Sequence, residues 1–275
     1  MASKTRRIKV GVIGCGAIGS RIAISTTKEL KDHFMISALY DIDPARSSSL
    51  AGRMRRPVLA RRSVSEVLAA SDLVVEAINT DATKNIVRQA LLKKKSVLVM
   101  SVGRLLEEGS LFSLAERNRA ALLIPSGAIA GLDAIKAARL AGIRSATLAT
   151  TKPPSGFKGS PYLKEKGIDP ALIRRDTVIF EGSVRQAVRA FPQNINVAAS
   201  LSLAVGDMKK VRVRIIASPE VRRNTHEIAI EGACGRIVTR VENEICPDNP
   251  KTSYLAVLSA IQALAQYARS VRIGS

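Results

Sequence analysis

The stretch Lys9-Val10-Gly11-Val12-Ile13-Gly14-Cys15-Gly16-Ala17-Ile18-Gly19-Ser20 decides how the chain is read. Val10 to Ile13 is a short apolar run of the kind that forms a buried strand. It leads straight into Gly14-Cys15-Gly16-Ala17-Ile18-Gly19, a GxGxxG spacing, and then into a segment with helical apolar spacing. Each glycine has its own task. Gly14 permits the tight turn off the strand. Gly16 lets the backbone approach a pyrophosphate with no Cβ in the way, and Gly19 lets the new helix pack close to the sheet. The helix start, with Ala17 and Ile18 in it, offers free N–H groups and a partial positive charge to phosphates. Asp41 completes the pattern. It follows a second apolar run, 22 residues past the last glycine, where an offset of about 20 is expected for a carboxylate that accepts the adenosine ribose hydroxyls. A carboxylate there repels a 2′-phosphate, so NAD is expected over NADP. Arg46, Ser47 and Ser48 lie close enough in sequence to admit NADP as well.

Outward from this loop, strands and helices alternate. Further strands are expected at Phe34–Tyr40, Pro57–Ala60, Leu73–Ile78, Ser96–Met100 and Ala121–Ile124. Helices lie between them, one opened by a capping box, Ser63 with Glu66. Near-continuous apolar strands joined by helices mean a parallel sheet covered on both faces. The character changes at Pro125. Ser126–Gly131 is expected to open a helix running to Leu140. Strands follow at 146–151, 177–181, 211–217, 224–230 and 236–241, with helices at 183–190 and 195–205. Ser155–Asp169, rich in Gly, Pro and Lys, reads as a mobile loop. A last helix, Thr252–Arg269, presents Leu255, Leu258, Ile261 and Leu264 as an apolar face that needs a partner. The expected fold is α/β: a Rossmann-type parallel-sheet domain over 1–125, a smaller α+β domain with a mixed or antiparallel sheet over 126–250, and a C-terminal helical segment, 251–275, packed back on the first domain.

Composition narrows the function classes. The 275 residues are 46% hydrophobic with a mean hydropathy of +0.10, as in globular chains. No apolar run approaches the roughly 20 residues that span a bilayer. Lys4, Arg6, Arg7 and Lys9 before an apolar stretch have the outline of a signal peptide, but that stretch is the dinucleotide loop itself. Cys15, Cys234 and Cys246 make no disulfide framework, and no Cys/His cluster points to a metal. A reducing, cytoplasmic setting is expected. The net charge is +20. The cations are spread along the chain, and with no Trp, four Tyr and five Phe, base-stacking platforms are scarce. Nucleic acid is therefore not the expected partner.

Four downstream stretches resemble the L-aspartate dehydrogenase family: SGAIAGLDAI (Ser126–Ile135), FPQNINVAASLSLA (Phe191–Ala204), NTHEI (Asn224–Ile228) and NPKTSYLA (Asn249–Ala256). The resemblance implies reversible oxidation of L-aspartate, a dicarboxylic amino acid, with NAD or NADP, through iminosuccinate to oxaloacetate and ammonia. It implies an imine product that can feed NAD biosynthesis, a homodimer, and an architecture similar to homoserine dehydrogenase and dihydrodipicolinate reductase. The family's catalytic histidine matches His226. Elimination meets the resemblance there, because the only other histidine, His33, precedes the second strand, far from the expected nicotinamide edge. Family cofactor contacts fall on Ala128 or Ala130 and on Asn194 or Asn196. Aspartate is expected between the domains, with His226 taking a proton from the ammonium group or from the attacking water. Its two carboxylates need cations or N–H donors. Lys152 is one candidate, and the helix starts expected at Gly127-Ala128 and at Lys251-Thr252-Ser253 are others. The turn Gly232–Gly235 and the high basicity depart from the family. Two rivals stand: a related reductase of the homoserine dehydrogenase type, and an NAD-sensing nucleic-acid-binding regulator whose binding would be salt-sensitive.

Overall fold

Five strands form the first sheet; two of its central strands are fully buried and its edge strand at 122–123 is half-buried. The computed structural model describes residues 6–78, 80–191, 196–247 and 249–274, the side chains of 249–251 excepted. The chain divides into two units, Met1–Pro125 with Val257–Ile273, and Ser126–Ala256 with Gly274–Ser275. The first runs β1 (Ile8–Ile13), α1 (Ala17–Glu29), β2 (Phe34–Tyr40), α2 (Pro44–Arg53), α3 (Val64–Ala70), β3 (Leu73–Glu76), α4 (Ala82–Leu92), β4 (Ser96–Val99), α5 (Gly109–Asn118) and β5 (Leu122–Leu123). Every pairing is parallel, in the order β2-β1-β3-β4-β5. All residues of β3 and β4 are buried. Val74, Val97 and Val99 meet Val87, Leu91 and Leu111 in one core. From β1 the chain turns first to β2 and then returns on the other side to β3. At such a reversal, beyond the carboxyl ends of the two strands that flank it (here β1 and β3), sheets of this kind bind ligands.

The expected strand at Pro57–Ala60 does not form. Pro57–Leu59 is a 3₁₀ turn, and Ala60 makes only an isolated bridge to Leu39. Pro57 has no N–H to give a ladder and holds φ in the turn range. Half of the expected capping box forms: Glu66 N–H donates to Ser63 Oγ at 3.2 Å, while the Glu66 carboxylate accepts from the N–H of Arg62, one residue before the cap, at 3.3 Å.

The second unit contains α6 (Leu132–Ala141), β6 (Ile143–Lys152), α7 (Pro161–Glu165), β7 (Thr177–Ser183), α8 (Val184–Ala190), α9 (Asn196–Val205), β8 (Val211–Ala217), β9 (Asn224–Gly232), β10 (Gly235–Asn243), β11 (Ile245–Cys246) and β12 (Asn249–Ser253). Its main sheet has the order β10-β9-β6-β8-β7 and is mixed, with β6 and β8 parallel and the other pairs antiparallel. Alternation sorts the two faces. Leu148, Val213, Ile215, Ile228 and Ile230 are buried on one. The other carries ion pairs, Arg214–Glu181 and Arg236–Glu231 at 3.1 Å and Arg240–Glu227 at 3.7 Å.

Four local expectations change here. Ser155–Asp169 is folded, not a loose loop. It holds a 3₁₀ turn at Pro154–Phe157 and then α7, with Phe157 and Leu163 buried. Tyr162 packs 5.1 Å from Phe191 and 5.8 Å from Phe180, edge-on or tilted, so aromatic burial outweighs the polar composition. Ser126–Ala130 does not open a helix. Gly131, at φ +81°, is the N-cap and α6 starts at Leu132. The preceding turn is tied to β10: Asn243 Nδ2 donates to the Ala128 carbonyl at 3.0 Å, and Thr239 Oγ1 donates to that of Ala130 at 3.2 Å. Lys251 and Thr252 belong to β12, not to a helix start, because the last helix, α10 (Tyr254–Ala268), begins after Ser253. It buries Val257, Ala260, Ile261, Leu264 and Ala265, a stripe rotated from the expected one, and Leu258 is 40% exposed. Tyr267 Oη lies 3.0 Å from Ser96 Oγ at the head of β4. Among the described residues no helix is long and apolar enough to cross a membrane.

Candidate active site

The glycine loop has the geometry its spacing requires. Gly14 sits at φ +96°, and a Cβ on it would meet the Ala77 carbonyl oxygen at 2.5 Å. A Cβ on Gly19 would collide with the Gly14 carbonyl. Around Gly16 the situation is the opposite: a Cβ there would meet nothing within 4 Å. The backbone is therefore open on one side and packed on the other. Helix α1 begins at Ala17 and Ile18 with no side-chain cap and no acidic residue in its first turn. Its leading N–H groups suit an anion. These residues fit the pyrophosphate of a dinucleotide.

Asp41 is 6% exposed. The Cys15 N–H donates to its Oδ2 at 2.7 Å and the Asp43 N–H to its Oδ1 at 3.0 Å. The carboxylate thus holds the glycine loop, a task its spacing did not reveal. Each oxygen keeps a second lone pair for a hydroxyl donor. Arg46 is drawn to Asp43 at 3.4 Å, and Ser47 Oγ donates to the Pro44 carbonyl at 3.1 Å. Burial, and then the charge of Asp41, push the Cys15 thiol up to about 12. Cys15 therefore remains a protonated, inert thiol in the loop.

In the second unit the strand register builds a different group. Thr150 of β6 lies directly opposite His226 of β9. Thr150 Oγ1 and His226 Nδ1 are 3.0 Å apart, and both residues are buried. Lys152 is two residues beyond Thr150, hence on the same face. Burial, reinforced by the Lys152 charge, pushes the His226 imidazole down to about 3. Burial pushes the Lys152 ammonium down to about 8. Near neutral pH the site holds a neutral imidazole beside a protonated amine. In the tautomer that carries the proton on Nδ1 and donates it to Thr150 Oγ1, the acceptor lone pair of the imidazole is on Nε2. Val241 of β10 pairs with His226, which puts Asn243 on the same face, and Asn243 holds the Ala128 turn.

The structure thus brings together Lys152, His226 and the turn carrying Ala128. Ala128 is buried and Ala130 exposed. Asn196 is the first residue of α9, and Thr252 is half-buried in β12. Asn194 and the Lys251 side chain lie outside the described residues. Thr150 and Asn243 escaped sequence reading, since 76 and 115 residues separate them from the groups they hold.

A parallel sheet with this loop, joined to a mixed-sheet unit bearing a buried histidine beside a half-buried lysine, defines a nicotinamide-dependent dehydrogenase. The NAD-binding domain family of homoserine dehydrogenase matches residues 14–125, and the aspartate dehydrogenase C-terminal family matches 133–267. An L-aspartate dehydrogenase of Methanosarcina mazei is 43% identical over 271 residues, covering 98% of this chain and 100% of the relative. One from Methanosarcina barkeri is 44% identical with the same coverage. The crystal structure of aspartate dehydrogenase from Thermotoga maritima has a TM-score of 0.71 at 26% identity, covering 98% of this chain and 100% of that one. The chain belongs to the L-aspartate dehydrogenase family.

Proposed function

We propose that this chain catalyses the reversible oxidation of L-aspartate to iminosuccinate, which water converts to oxaloacetate and ammonia, with NAD preferred over NADP. The buried Thr150–His226 pair with half-buried Lys152 on the same face, in a chain of this family, carries the reading. When bound, the nicotinamide supplies the acceptor for the hydride that leaves the substrate Cα. The glycine loop and the first amides of α1 hold the pyrophosphate, and Asp41 accepts the ribose hydroxyls. One alanine of the 126–131 turn, Ala128 or Ala130, and one of Asn194 and Asn196 complete the cofactor contacts. Lys152 pairs with a substrate carboxylate, and Lys251 and Thr252 are assigned to the other.

Substrate charge matters to the base. The carboxylate that meets Lys152 offsets the positive charge now opposing protonation of His226. Binding the dicarboxylate therefore raises the basicity of His226 where it is needed. Nε2 takes a proton from the substrate ammonium group or from the water that attacks the imine. In the reverse direction the imidazolium returns it. Thr150 acts through His226 by holding Nδ1. Thr150→Val keeps the shape and removes the hydroxyl. Turnover should fall about ten- to a hundredfold, as for a hydrogen bond to a group that becomes charged. The pH–rate profile should shift as well, and Thr150→Ser should restore both.

The direct test is nucleotide-linked turnover of L-aspartate, and of oxaloacetate with ammonia, against homoserine. Aspartate should be the preferred substrate, with a lower KM for NADH than for NADPH in the reductive direction. Faster turnover of homoserine would overturn the substrate, and the reverse order of KM would overturn the reading of Asp41. A homodimer in a reducing cytoplasm completes the proposal. The free thiols of Cys15, Cys234 and Cys246 support the reducing setting, and light scattering checks the dimer.

A further inference from the structure

Glu76 is a fully buried carboxylate to which the reaction above gives no part. It is the last residue of β3, paired with Ile13 of β1 on one side and Val99 of β4 on the other. Four donors converge on it. The Ile78 N–H reaches Oε1 at 3.0 Å, Thr83 Oγ1 reaches Oε1 at 3.0 Å, Ser101 Oγ reaches Oε1 at 2.7 Å, and the Ser101 N–H reaches Oε2 at 3.1 Å. This set matches the acceptor-only, ionised form. The donors come from three places: the loop after β3, the first turn of α4 and the loop after β4. All three lie at the carboxyl edge of the parallel sheet. The loop after β3 is also the one packed on the glycine loop, since Ala77 closes the space beside Gly14.

A core position at the centre of a sheet would be served more simply by an apolar side chain, because burying a carboxylate costs more than burying a methyl group. The position is different in one respect: from it one side chain reaches the loop packed on the glycine turn and the loop after β4 together.

We propose that Glu76 is a positioning residue of the nucleotide site, acting through Ile78, Thr83 and Ser101 to hold the loop beside the glycine turn, and the start of α4 and the loop after β4 with it, in their binding shape. The inference rests on the cofactor reading above. Glu76→Gln keeps the size and removes the charge. It leaves one amide N–H₂ facing donors, either the Ser101 N–H or the Oε1 trio. Thr83→Val deletes one donor and keeps the shape of a buried residue.

The test is NADH affinity, read by nucleotide fluorescence, together with thermal melts and the KM for aspartate at saturating NAD. Glu76→Gln should weaken NADH about tenfold or more, the loss expected for disrupted hydrogen bonds to a charged group. Thr83→Val should weaken it severalfold, and the aspartate KM should stay within twofold of the parent. Variants that melt lower but bind NADH within twofold of the parent would overturn the proposal and leave Glu76 as a fold residue. If Glu76→Gln does not fold, Thr83→Val decides on the same criterion. A parent protein that fails to bind NADH would overturn the cofactor reading, and this proposal with it.

Discussion

Replacing His226 with Ala should lower turnover of aspartate by about two to four orders of magnitude, the range that a positioned general base contributes. NADH affinity should be unchanged, because the nucleotide contacts proposed here come from the glycine loop, Asp41 and other residues. His226→Gln keeps more of the volume, can still meet Thr150, and controls for the cavity that Ala leaves. Both should fail in the same way, in turnover and not in nucleotide binding. Turnover within about threefold of the parent in either variant would remove His226 from the chemistry. The same residue has a stability signature. The unfolded imidazole takes up its proton near pH 6.5, while the folded one waits until about 3. Between those values the unfolded chain binds more protons, so His226 makes the fold less stable as pH falls through that window. Thermal melts of the parent and of His226→Gln from pH 7 to pH 4 should show the parent losing more stability than the variant.

The second large effect is at Lys152. Lys152→Met should raise the KM for aspartate by about two orders of magnitude, since a charged hydrogen bond to a carboxylate is lost. The unliganded protein should nonetheless melt at a higher temperature. The folded ammonium titrates at about 8 against 10.5 in the open chain. Below pH 8 both states carry the proton and the fold bears the cost of the buried charge. Between 8 and 10.5 the unfolded chain holds more protons, so stability rises with pH. Methionine removes that cost at every pH, and the gain should shrink as pH climbs past 8. Calorimetry at pH 7 and pH 10 checks the sign. A lower melting temperature for Lys152→Met at pH 7 would mean that the amine supports the fold.

Much of the nucleotide unit could be read directly, for a physical reason. The turn into α1 needs glycine where backbone meets backbone, and that need leaves a mark at fixed spacing. The strands beside it are apolar on both faces, so they stand out as runs. The errors fall where two local tendencies compete. Pro57-Val58-Leu59-Ala60 has strand-like side chains, but proline begins a turn. Ser126 is a good N-cap by type, yet Gly131 takes that place, at a φ that L side chains rarely adopt. In α10 the large side chains suggest a stripe through Leu258, but the smaller Val257 and Ala260 join Ile261 and Leu264 in the one that is buried. The proposed catalytic group is half legible. His226 carried a motif, but its partner Thr150 comes to it only through the register of β6 and β9.

The return of Val257–Ile273 to the first unit bears on how the protein is made. Ribosomes release the β1–β5 region early, and domains generally fold as they emerge. Here the segment that carries Tyr267 to Ser96 is synthesised only after the whole 126–256 region. The first half must therefore wait, with the patch that α10 will cover still open to water and to other nascent chains. A fragment ending at Pro125 should inherit that sticky patch permanently, and joining residues 254–273 to it by a short artificial linker should restore solubility.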